Sequence, residues 1–162
     1  MPRVREYDRL AARNYAVRWA LSRNPEYYDF NDIGGDCTNF VSQCIYAGSG
    51  VMNYSKDNGW YYINLNDRSP SWSSTRFLYE FLISNKGVGP FASLSTIEKI
   101  SPGDIIQLGD QDNVFYHTVV VLSTYREILV ASHTYDALFK PLSSYSFYQA
   151  RFIKIDGVRY NL

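Results

Sequence analysis

Gly34-Gly35-Asp36-Cys37-Thr38-Asn39-Phe40-Val41-Ser42-Gln43-Cys44-Ile45-Tyr46-Ala47-Gly48 is the stretch around which the rest of the chain is read. The glycine pair marks a turn, and Asp36 is placed to cap a helix running from Cys37 to Ala47. Gly48-Ser49-Gly50 then stops it. Cys37 therefore falls in the first turn of a helix, where unpaired N–H groups and a partial positive charge favour a thiolate over a thiol. The same N–H groups suit an oxyanion formed when that thiolate attacks a carbonyl. Cys44 follows seven residues later, about 10.5 Å along a helix. A disulfide needs Cα atoms within about 7 Å, so the two cysteines should stay separate. Cys44 reads as a small core hydrophobe.

Upstream, apolar spacing predicts a helix over 5–23, ended by Asn24-Pro25. Arg5, Arg9 and Arg13 recur at i, i+4 and i+8 on one face of it. That stripe reads as a solvated face or as a contact for an anionic polymer or neighbouring domain. Downstream, 51–72 reads as an irregular loop rich in Asn, Ser, Tyr and Trp. A helix over 74–84 should bury Phe77, Leu78, Phe81 and Leu82, and a helical turn is expected at 95–99. After Pro102-Gly103 the pattern changes to strands at 104–108, 118–123, 128–133 and 149–155. The apolar runs at 118–122 and 128–131 read as central strands covered on both faces. Helices first and strands afterwards predict an α+β fold, N-terminal helices packed on a central antiparallel sheet.

The chain has 162 residues, enough for one domain over 1–162. Sixteen basic and sixteen acidic residues cancel, which argues against a nucleic-acid partner. Two cysteines exclude a disulfide-rich scaffold. No apolar run is long enough to span a membrane, and the first ten residues lack the apolar core of a signal peptide. Aromatic residues make up 17%, tyrosine foremost, so much of the aromatic surface can also hydrogen bond.

The only two histidines, His117 and His133, fall on adjacent predicted strands. If their hairpin centres on Tyr125, facing positions sum to 250, and these two face each other. A slip of one residue would place them on opposite faces. In the facing register one imidazole can orient the other, as the third member of a nucleophile–base–orienter set. Two Cys and two His nominally suit zinc, but Cys37 and Cys44 are too far apart on one helix to share an ion. No metal or cofactor is called for.

The segment at 34–48 closely resembles the nucleophile segment of the bacterial "Putative amidase domain" family, within the papain-like superfamily of NlpC-type and CHAP cell-wall hydrolases. Ser101-Pro102-Gly103-Asp104-Ile105-Ile106-Gln107-Leu108, the histidine at 117 opening an apolar strand, and Ser132-His133-Thr134-Tyr135-Asp136 repeat that family's order. The segments Trp60-Tyr61-Tyr62 and Ser71-Trp72 also look family-like, and the resemblance spans residues 7–155. It implies a papain-like fold and amide hydrolysis through a thioester, with Cys37 as nucleophile, His117 as general base and His133 as orienter. Asp136 competes for that third role. The papain-type upstream glutamine has no counterpart, leaving Tyr28, Asn31 or Asp36 as oxyanion-side candidates. The implied substrate is peptidoglycan or another peptide amide, met by Trp60, Tyr61, Trp72 and Asp136. The implied setting is a secreted or wall-associated domain of a longer chain, acting as a monomer. A cysteine amidase on a non-wall amide and a non-catalytic wall-binding module are the competing readings.

Overall fold

A computed structural model describes all 162 residues. The chain begins with a short strand β1 (Arg3–Arg5) and helix α1 (Arg9–Trp19), not one long helix. Asp8 accepts from the Ala11 N–H and starts α1 there. Helix α2 (Cys37–Ser49) ends at Gly50 in the left-handed conformation, as the glycine spacing predicts. Within 51–72 lie a hairpin, β2 (Tyr62–Asn64) and β3 (Asp67–Arg68), and a one-turn helix α3 (Pro70–Ser73). Helix α4 (Thr75–Ser84) starts at Ser74, whose hydroxyl accepts from the Phe77 N–H. Leu78, Phe81 and Leu82 are buried, while Phe77 is 43% exposed and does not face the core.

Six more strands follow: β4 (Gly89–Ser95), β5 (Ile105–Gly109), β6 (Phe115–Ser123), β7 (Leu129–Ser132), β8 (Ala137–Pro141) and β9 (Gln149–Tyr160). Every pairing is antiparallel. The sheet runs β1-β9-β5-β6-β7-β8, with β4 on the other edge of β9. The domain is thus α+β, a mostly antiparallel sheet with helices packed on one face. On that face Ile105, Val120, Leu122, Ala131, Ile153 and Ile155 meet Phe40, Val41, Cys44 and Leu78 in the main core. The opposite face carries Ile106, Leu108, Val119, Val121 and Val130, covered by Ile100 and Leu142. Strand β6 is central and buried on both sides, as its continuous apolar run predicts.

The three arginines do not share one helix face: Arg5 is exposed on β1, while Arg9 and Arg13 are half-buried on α1. Arg5 donates to Ser49 O, Arg9 to Asp104 and to Ile155 O, and Arg13 to Leu122 O. Each guanidinium ties the N-terminal segment to the body of the domain.

Candidate functional site

Gly34 and Gly35 both take positive φ and turn the chain into α2. The turn brings the Asp36 N–H 2.8 Å from Thr134 Oγ1 in the β7–β8 connection. Asp36 does not cap α2 with its side chain. Its Oδ1 instead accepts from the Phe30 N–H and from Asn39 Nδ2, both at 2.8 Å. Its Oδ2 lies 2.5 Å from His133 Nδ1. An acceptor this engaged reads as a carboxylate receiving the Nδ1 proton. The other ring nitrogen, Nε2, lies 2.8 Å from Trp19 O and 3.2 Å from Arg23 Nη1. It donates to the first when protonated and accepts from the second when not. The His133 ring stacks on Phe40, centroids 3.9 Å apart, one turn of α2 beyond Cys37.

Cys37 is 8% exposed and its thiol is free. Its sole hydrogen-bonding neighbour is Thr38 Oγ1 at 3.8 Å. Because Asp36 makes no cap, its carboxylate does not occupy the first-turn N–H groups of α2. Cys44 is fully buried, and burial pushes its thiol well above the ordinary range. It is a core residue.

His117 lies elsewhere. The β6–β7 ladder pairs Val120 with Ala131 and Val121 with Val130, so facing positions sum to 251. That one-residue shift puts the two imidazoles on opposite faces. His133 faces α2; His117 pairs with Leu108 and shares the far face with Val119 and Val121. Its ring lies 5.8 Å from that of Tyr145. Burial, helped by the Lys140 charge, lowers its pKa from 6.5 to about 4. The expected His117–His133 partnership is therefore not formed, and no hydrogen bond joins Cys37 to either ring.

The remaining candidates divide. Trp60 and Trp72 are wholly buried, 4.8 Å apart, and donate to Ser42 Oγ and Asn39 Oδ1. They are core and not substrate-facing, because α2 offers buried polar partners for both indole N–H groups. Tyr61 stays partly exposed beside Tyr54, its hydroxyl on Asp67. Tyr28 contributes backbone, donating to Tyr62 and accepting from Asn39. Asn31 is an exposed turn residue bonded to Asp29. Asp136 is clamped by both terminal nitrogens of Arg23, at 2.9 and 3.0 Å.

Sequence reasoning missed Arg23, Asn39 and Thr134. Asn39 had a local signal, three residues after Asp36 on one helix face. Thr134 lies in the 132–136 segment, but nothing local pairs it or Arg23 with Asp36; a tertiary arrangement does.

Residues 6–155 match the family described as "Putative amidase domain". The chain belongs to that family. Its matched relatives include YhbB of Bacillus subtilis (strain 168), uncharacterised, 33% identical over 140 residues. A second Bacillus subtilis protein, uncharacterised YjcM, is 28% identical over 147 residues. These alignments cover 83% and 85% of this amidase-family chain but only 44% and 33% of the relatives. The chain thus spans less than half the length of either. No solved structure matches.

Proposed function

We propose that this domain is a cysteine amidase of papain-like architecture with Cys37 as its nucleophile. The observation that carries this reading is a free cysteine opening an uncapped helix, next in sequence to a buried Asp36–His133 pair, in a chain of an amidase family. The Cys37 thiolate attacks an amide carbonyl carbon, and the carbonyl electron pair moves to oxygen near the first-turn N–H groups of α2. Collapse breaks the C–N bond and leaves a thioester, the amine departing with a proton from an imidazolium. Water then attacks the thioester, the imidazole takes its proton, and collapse breaks the C–S bond, releasing the acid and restoring the thiolate and the imidazolium.

We assign the proton exchange to His133 and not to His117. His133 stands on the α2 side of the sheet, and Asp36 holds its Nδ1 as donor, leaving Nε2 to gain and lose the proton. To reach the sulfur, Nε2 has to give up Trp19 O. The substrate class follows the family resemblance: amides of peptidoglycan stem peptides, met by a domain of a longer wall-associated protein.

The test is product release from purified sacculi and from a peptide-amide library, read by mass spectrometry. Cys37→Ala should abolish turnover, and turnover that survives it overturns the reading. His133→Ala should cost far more activity than His117→Ala. The reverse order, with an acid limb in kcat/KM near pH 4, would restore His117 as the base. Cleavage of library amides but not of sacculi would move the substrate away from the wall. Binding to sacculi without turnover would reduce the domain to a binding module.

A further inference from the structure

A row of hydroxyls, buried at Thr38 and Thr118 and half-buried at Thr75, lies behind Cys37, and the reaction scheme above does not use it. Thr38 Oγ1 is 3.8 Å from Cys37 Sγ, 2.9 Å from Thr75 Oγ1 and 3.4 Å from Thr118 Oγ1. Gln107 Nε2 lies 3.2 Å from Thr118 Oγ1 and 2.9 Å from Thr75 O. Gln107 Oε1 accepts from Arg151 Nε at 2.8 Å and Nη2 at 2.6 Å. Gln107 and Thr118 are wholly buried and Thr38 is 2% exposed.

Donor and acceptor counting gives this row a direction. A guanidinium only donates, so Arg151 fixes the oxygen end of the Gln107 amide toward itself. The amide nitrogen must then donate inward, to Thr118 Oγ1 and Thr75 O. Thr118 has its acceptor side taken and one proton to give, and Thr38 Oγ1 is in reach. The Thr75 hydroxyl can give its proton to the same oxygen. An oxygen that accepts from both neighbours directs its own proton at the one acceptor left, the sulfur of Cys37. On the loop side Asp36 precedes Cys37 in the chain and is bonded to His133, whose other ring nitrogen lies 3.2 Å from Arg23 Nη1. Arg151 stands at the far end, held between the rings of Tyr79 and Phe115 at 3.5 and 3.8 Å.

We propose that Thr38, oriented through Thr118, Gln107 and Arg151, is a positioning residue that holds a hydrogen-bond donor on the Cys37 sulfur and favours its thiolate. The proposal rests on Cys37 being the nucleophile. Its test does not use turnover, so the two can fail separately. The ultraviolet absorbance of the thiolate is titrated in the full chain, with the Cys37→Ala chain subtracted to isolate Cys37. Thr38→Val should raise the titration midpoint by about one pH unit, the effect of losing one hydrogen bond to an ionised group. Thr38→Ser, which keeps the hydroxyl, should restore it. Arg151→Met frees the Gln107 amide and should raise the midpoint by less. A Thr38→Val midpoint equal to the starting chain overturns the proposal. If Thr38→Val does not fold, an unchanged midpoint in Arg151→Met overturns it instead. Loss of turnover in Cys37→Ala bears only on the nucleophile.

Discussion

His133 uses both ring nitrogens inside the fold, whereas His117 has no hydrogen-bond partner in the protein and keeps its ring neutral by burial. That difference has a measurable consequence. The unfolded chain protonates His117 as pH falls through about 6.5, while the folded chain resists until about pH 4. Native stability should therefore decline between those values and level off below them, by up to about 3 kcal/mol from this group. Urea unfolding from neutral to acid pH measures the decline, and His117→Phe should flatten it. The residue scale is also where sequence reasoning was most uneven. Cys37 and Cys44 were separable from helix spacing alone. The two histidines were not, because a bulge at the β6–β7 pairing, between Val121 and Ser123, sets the register. The fate of the tryptophans was equally hidden. Whether an aromatic ring in a loop faces solvent depends on which helix it meets.

At the scale of elements, α2 could be placed from its glycines at both ends, and β6 from its apolar run. The sequence carries no clear sign of β4 or β8, and helical spacing runs past both ends of α1, because short amphipathic segments carry weak periodicity. The β7–β8 connection also broke the usual turn chemistry. Thr134 and Tyr135 both take positive φ, near 57° and 60°, where Asn and Gly are normally found. Thr134 repays that strain by accepting the Asp36 N–H. Tyr135 is 92% exposed and has no such contact in the protein. Tyr135→Asn should therefore stabilise the domain by about 0.5–1 kcal/mol, checked by thermal unfolding. A simultaneous drop in turnover would mean that the ring meets substrate, an unchanged rate that it does not.

The whole molecule is held by Asp104, the acid of the Pro102-Gly103-Asp104 motif. It is wholly buried and accepts from Arg9, from the Ser101 N–H and from the Ile155 N–H. One carboxylate thus joins α1, the entry to β5 and the middle of β9. Asp104→Asn should cost about 3 kcal/mol, because Arg9 loses its ionic partner and one oxygen becomes a donor facing donors. Chemical denaturation measures this, and a loss below about 1 kcal/mol would show that water replaces the carboxylate. The motif and its local Ser101 partner were legible in the sequence, but Ile155 and Arg9 are about 50 and 95 residues away in the chain, beyond any local pattern.

The strand β9 pairs along one edge with β4 and along the other with β5 and then β1. It follows all three in the chain, so the sheet cannot close during synthesis until residues 149–160 have left the ribosome. Until then α1 lacks the Ile155 carbonyl that Arg9 binds. A nascent chain halted before β9 should be digested readily by protease, with both thiols open to alkylation, and protection should arrive in one step once that strand emerges.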